Sequence, residues 1–131
     1  VLAKRVKVIA TTYAVTQRMP KDSKAQVVWT GNPVRAAIKA VAKVAAPELR
    51  GDGVLKILVI GGGQGASVFS DVVPAAMTLL PEKLRARVRI DQQARAPELE
   101  RTREAYKALG MSVDLATFFH DVPARLAGAH L

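Results

Sequence analysis

Lys56-Ile57-Leu58-Val59-Ile60-Gly61-Gly62-Gly63-Gln64-Gly65-Ala66 is the stretch that decides how this chain folds. Residues 56–60 are short and almost wholly apolar, the composition of a strand buried on both faces of a parallel sheet. The glycines that follow form a turn, and helical periodicity runs from Ala66 to Leu80. A strand that passes through glycines into a helix leaves backbone N–H groups unpaired at the positive end of the helix dipole, which makes an anion site suited to phosphate. Glycine is needed there because a side chain would block close approach. Two other readings of the turn stay open. Gly61-x-Gly63-x-x-Ala66 also satisfies the dinucleotide fingerprint, with Asp91 ending the next strand where a ribose-binding acid belongs. The turn could equally be a tight connection that binds nothing. A Walker loop is excluded, since no Gly-Lys-Ser/Thr follows.

Downstream of the turn the alternation continues. Residues 88–91 read as a strand, residues 97–109 as a helix opened by Pro97 and stopped by Gly110, and residues 113–117 as a third strand. Asp121 is the expected N-cap of a short helix through Leu126. Pro74 falls inside the helix after the glycine turn and is expected to kink it. Strand and helix in this succession imply right-handed crossovers and a parallel, Rossmann-like α/β sheet. Such sheets usually carry five or six strands, so further sequence is expected beyond Leu131. Upstream, residues 6–13 and 26–30 read as strands, and a helix is expected from Pro33, with Val34, Ala37, Ile38 and Val41 at helical spacing. Residues 46–53 read as an exposed linker.

The composition narrows the function classes. Half of the 131 residues are hydrophobic, which argues against disorder, and no apolar run reaches the roughly 20 residues needed to span a bilayer. There is no cysteine, hence no disulfide framework and no thiolate metal site. The net charge of +9 is uneven: residues 1–50 carry ten Lys/Arg against Asp22 and Glu48, a net +8. Such a segment is either a solvated surface or a contact for anionic partners. Aromatic residues are not interleaved with the basic ones, so nucleic acid is disfavoured. His120 and His130 lack metal-ligand spacing and are expected at the surface or at an edge, while Phe118-Phe119 is expected in the core or lining a cleft at the end of a strand. No catalytic constellation of Ser, His and Asp stands out. Arg35 closes a rigid Thr30-Gly31-Asn32-Pro33-Val34 turn and could fork onto a phosphate, or it could be an ordinary exposed helix residue.

Taken together, Thr30-Gly31-Asn32-Pro33-Val34-Arg35, Ile57-Leu58-Val59-Ile60-Gly61-Gly62-Gly63-Gln64-Gly65-Ala66, Val73-Pro74-Ala75-Ala76 with Leu80-Pro81-Glu82, and Phe118-Phe119-His120-Asp121-Val122 resemble the MurG family. These are the undecaprenyl-diphospho-muramoylpentapeptide β-N-acetylglucosaminyltransferases of bacterial cell-wall synthesis. The resemblance runs over nearly the whole chain, in order. It implies part of a GT-B fold: residues 1–31 as the end of an acceptor domain, 32–53 as junction and linker, and 54–131 as the first half of the UDP-sugar-binding domain. It implies an inverting transfer of N-acetylglucosamine from UDP-GlcNAc to lipid I, giving lipid II, in a peripheral protein at the cytoplasmic face of the bacterial inner membrane. The +8 segment lends support to contact with the anionic membrane surface. No cofactor or metal is implied. An NAD(P)-binding domain of an oxidoreductase is the rival.

By the same resemblance the donor is contacted by Arg35, Gly62, Gly63, Gln64, Gly65 and Phe119. Gly63 stands where the family commonly has serine, so only backbone donation survives there. Phe119 occupies the place of an aliphatic residue whose backbone faces the uracil. Asp91-Gln92-Gln93-Ala94-Arg95 departs from the family's usual histidine-glutamine pattern. The proposed catalytic base and the remaining nucleoside contacts would lie outside residues 1–131, so no catalytic residue is assigned and the chain by itself is expected to be inactive.

Overall fold

In the computed structural model, which describes residues 5–17, 19, 23–62 and 67–131, the chain divides into two units, Val1–Ala36 and Ala37–Leu131.

The first unit pairs β1 (Val8–Thr11) with β2 (Gln26–Trp29) in parallel, Val8 opposite Gln26 and Thr11 opposite Trp29. Both strands are rich in β-branched residues, which suit a pleated backbone. The carbonyl of Thr11 accepts the amides of Thr30 and Gly31 at 3.1 and 3.2 Å, carrying the pairing past the end of β2. The Trp29 indole donates to the Thr12 carbonyl at 3.1 Å, and the Thr12 hydroxyl donates to Asn32 Oδ1 at 2.8 Å. The helix expected from Pro33 begins later, as α1 (Ala36–Val41). Asn32 spends its side chain on Thr12 rather than on a cap, and a residue that precedes proline is driven out of the helical region.

The second unit is a parallel sheet in the order β3 (Leu55–Val59), β4 (Val88–Gln93), β5 (Val113–Ala116). Leu58, Asp91 and Asp114 share one register row, and Ile57, Ile90 and Val113 share the next. β3 connects to β4 through α2 (Ser67–Thr78) and the short α3 (Glu82–Arg85). β4 connects to β5 through a 3₁₀ turn (Ala96–Glu98) and α4 (Leu99–Ala108), and α5 (Val122–Gly128) follows β5. At the other edge of β3 the His130 amide donates to the Lys56 carbonyl at 2.8 Å and the Leu58 amide to the Leu131 carbonyl at 2.8 Å. His130 Nδ1 accepts the Lys56 amide at 3.0 Å, so this histidine sits at an edge and covers it.

The core lies between one face of the sheet and helices α2 and α4, where Val88, Ile90, Leu115, Met77 and Tyr106 are buried and Ile57, Val59, Val73, Leu99 and Leu109 pack around them. Two expectations change here. β3 is not buried on both faces: Lys56 is exposed and Leu58 only half-buried, although α5 packs against the strand. Pro74 lies inside α2 as anticipated, and the helix continues through it to Thr78 with Pro74 itself buried, while the helix expected to reach Leu80 stops two residues short. A proline interrupts one ladder bond, and packing against the core holds the helix together around the gap. Helix α4 ends as anticipated at Gly110, whose φ of +67° is open to glycine. The Gly110 amide donates to the Lys107 carbonyl at 2.9 Å and the Met111 amide to the Tyr106 carbonyl at 3.0 Å, the reciprocal pair that satisfies a helix C-terminus.

Candidate functional site

A parallel sheet sends all its strands toward one edge, and the connections that leave that edge are where ligands collect in open α/β folds. Here the edge is formed by residues 60–62 after β3, Ala94 and Arg95 after β4, and residues 117–121 after β5. The ladder extends into it through the Ala94 amide, which donates to the Ala116 carbonyl at 3.0 Å.

Gly62 takes a φ of +79°, a left-handed conformation that a side chain would strain, and it is exposed. Gly63, Gln64, Gly65 and Ala66 lie outside the described residues, so their assignment stays with the sequence. The described chain continues from Ser67, the first residue of α2, whose amino end lies on the side of the sheet where β3 stops.

The first turn of α2 is tied down from β4 and α4. Buried Gln92 donates from Nε2 to the Phe69 carbonyl at 3.1 Å and accepts the Tyr106 hydroxyl on Oε1 at 2.5 Å. Burial pushes the Tyr106 phenol above its ordinary range, so it stays a donor at any physiological pH. Arg95 Nη1 donates to Ser67 Oγ at 3.0 Å and lies 3.8 Å from Glu98, whose other oxygen accepts the Ser70 hydroxyl at 3.4 Å. Gln93 Nε2 donates to the Thr117 carbonyl at 2.9 Å and fixes the start of the β5–α5 loop. Reading the sequence did not foresee Gln92, Gln93 or Arg95 as structural anchors. The available signal was the break in apolar alternation after Ile90, where two amides stand at strand positions.

The β5–α5 loop separates its two aromatic residues. Phe119 is 5 % exposed, whereas Phe118 is 51 % exposed and meets exposed His120 edge-on at 4.8 Å. The Arg125 guanidinium lies 4.0 Å from the centre of the Phe119 ring. The same guanidinium holds three carboxylates, with Nε at 2.8 Å from Asp121 and Nη1 at 2.6 Å from Asp114 and 2.8 Å from Asp91.

This arrangement corrects two expectations. Asp121 occupies the N-cap position of α5, but its side chain caps nothing and pairs with Arg125 instead. Hydrogen bonding to Arg125 holds the Asp121 carboxyl below the usual range, and the three acids raise the already high pKa of the guanidinium. Asp91 does not end its strand: β4 runs on to Gln93, and the Asp91 carboxylate is engaged by Arg125. The acid expected at a dinucleotide ribose is therefore committed elsewhere. Arg35 belongs to the first unit, is exposed, and makes no ion pair or hydrogen bond among the described residues. Among the described residues there is no cluster of acids, histidines or cysteines able to hold a metal, and no helix long and apolar enough to cross a membrane.

No protein-family model matches the chain. It is 47% identical over 131 residues to a UDP-N-acetylglucosamine–N-acetylmuramyl-(pentapeptide) pyrophosphoryl-undecaprenol N-acetylglucosamine transferase of Methylorubrum extorquens, spanning 99% of this chain and 36% of that protein. The protein of the same description from Rhodospirillum centenum is 47% identical over 130 residues, 99% of this chain and 34% of the relative. The chain thus spans about a third of the length of the curated relatives it matches. A crystal structure of MurG from Acinetobacter baumannii superposes with a TM-score of 0.56 at 22% identity, covering 98% of this chain and 32% of the other, which is likeness of fold.

Proposed function

We propose that this chain belongs to the MurG family of N-acetylglucosamine transferases and that the protein carrying it moves N-acetylglucosamine from UDP-GlcNAc to undecaprenyl-linked lipid I, forming lipid II. The observation that carries this reading is the 47% identity maintained over 99% of the chain with transferases of that description. The second unit is the UDP-sugar side of the site. Backbone amides of Gly62, Gly63, Gln64 and Gly65 grip the diphosphate at the head of α2, and the φ of +79° at Gly62 supports a bend that only glycine enters freely. Arg35 supplies a forked cation to a phosphate. Phe119 offers its backbone to the nucleobase, a role compatible with a side chain that is itself buried.

Residues 1–31 contribute the end of the acceptor domain, residues 32–53 the junction, and residues 54–131 the first half of the donor domain. The protein works at the cytoplasmic face of the inner membrane, with Lys4, Arg5 and Lys7 of the basic segment near acidic lipid. The alternative, a dinucleotide-binding oxidoreductase domain, is disfavoured by the engagement of Asp91 with Arg125 at 2.8 Å.

Calorimetric titration of the whole protein with UDP-GlcNAc and with NADH tests the reading. Binding of UDP-GlcNAc with no comparable binding of NADH is expected, and the reverse preference overturns it. The 131-residue chain alone is expected to transfer no sugar and to bind UDP-GlcNAc more weakly than about 1 µM. Co-sedimentation with anionic vesicles at low salt is expected to fall when Lys4, Arg5 and Lys7 are changed to Glu; an unchanged pellet removes the membrane role of those residues.

A further inference from the structure

The Arg125 cluster has more in it than a surface ion pair needs. Exposed pairs contribute little because water screens them and two long side chains must be ordered. Arg125 has a side chain only 21% exposed, and it gathers acids from three different elements: Asp91 in β4, Asp114 in β5 and Asp121 at the head of α5. Its guanidinium plane also covers the Phe119 ring at 4.0 Å. The planar fork can serve three carboxylates and an aromatic face together, which a lysine ammonium cannot. Without the guanidinium, three carboxylates converge on one point and repel one another.

We propose that Arg125 is a positioning residue for the nucleoside end of the UDP-sugar: by clamping Phe119 and Asp121 onto β4 and β5 it fixes the backbone of the loop at residues 117–121 where the base is received. The inference rests on the functional reading above and extends it to a side chain outside the motifs that suggested it. Arg125 touches no ligand in this scheme. It removes the freedom of a loop that would otherwise be ordered only on binding, a cost that appears as weaker affinity rather than slower chemistry. The diphosphate end, held at the head of α2, is anchored separately through Gln92, Tyr106 and Arg95. Arg125 therefore acts on one end of the ligand.

The test uses the whole protein with the Arg125→Met, Arg125→Lys and Asp114→Asn variants. For Arg125→Met, KM for UDP-GlcNAc is expected to rise about 10-fold with kcat changed less than about 2-fold, and Arg125→Lys is expected to restore part of the loss. Inhibition by UDP should weaken in parallel, while inhibition by inorganic pyrophosphate stays unchanged. Asp114→Asn should raise KM by about 2-fold through loss of one arm of the clamp. A KM for Arg125→Met equal to that of the unaltered protein overturns the proposal, as does an equal loss of UDP and pyrophosphate inhibition, which would mark general destabilisation. If Arg125→Met does not fold, Arg125→Lys and Asp114→Asn decide by the same criteria. Failure of the unaltered protein to bind UDP-GlcNAc at all would instead overturn the functional reading, and this proposal with it.

Discussion

The two faces of the β3-β4-β5 sheet are held by different physics. On one face Ile57, Ile90 and Val113 line up under α2 and α4 with Met77 and Tyr106, and Gln92, a polar insertion in β4, has both ends of its amide satisfied. On the other face the row Leu58, Asp91, Asp114 meets α5 through Arg125. The first face draws its stability from removal of apolar surface from water and tolerates polarity only when every atom is paired. The second buries Phe119 under the Arg125 guanidinium and is organised largely by charge. The face that carries stability and the face that shapes the β5–α5 loop are thus largely separate, so changes to one can be read without rewriting the other.

That separation can be broken at three points. The largest effect is expected at Ile90, 1% exposed in the middle of the apolar face. Ile90→Ala should cost about 3 kcal/mol through lost transfer energy and a residual cavity, measured by urea denaturation, and a loss below about 1 kcal/mol would show the face to be loosely packed. A smaller effect is expected from Tyr106→Phe, which leaves Gln92 Oε1 buried without its donor at a cost of about 1–3 kcal/mol. Pairing it with Gln92→Leu sharpens the point. The double variant should recover part of the loss, because an apolar pair leaves fewer orphaned atoms, and no recovery would mean that Gln92 matters mainly through its bond to Phe69.

The smallest effect belongs to the charged face. The Asp121 carboxyl is held below its ordinary value of 3.8 by Arg125, so its contribution is present above that value and is lost as pH falls through the lower, folded value. Asp121→Asn should flatten the acid limb of the stability curve below about pH 4 and leave it unchanged near pH 7 apart from a constant offset. An acid limb identical in the two proteins would assign that limb to other carboxylates.

Much of this was legible in the sequence, for local reasons. The strand in the apolar run at residues 56–60 and the helix stop at Gly110 follow from side-chain packing and backbone sterics that act over a few residues, whereas the helix expected from Pro97 opens as a 3₁₀ turn and becomes α4 only at Leu99. The parallel order follows from strand–helix alternation, because a crossover returns the chain to the same edge. The candidate site was visible only in part: Gly62 and Phe119 were singled out by motif, whereas Arg125 offered no signal beyond its spacing of four from Asp121 on a short helix. Two local rules failed, the first to a local competitor and the second to tertiary pairing. Asp121 looked like a cap, but a guanidinium four residues on competes for the same oxygen and offers a charge-assisted bond. Asp91 looked like the end of a strand, but β5 continues to pair beyond it through Gln92 and Gln93 and extends β4.

The sequence by itself therefore determined the alternation of the main strands and helices, though not all their ends nor the short α3, that the sheet is parallel, and where a backbone bend requires glycine, since each is a property of near neighbours. Only the tertiary structure decided that Asp91 and Asp114 meet Arg125 and that Gln92 joins Tyr106 to the first turn of α2. Those contacts join residues on separate elements. Their geometry exists only once the sheet register has brought the elements side by side, and no spacing along the chain encodes it.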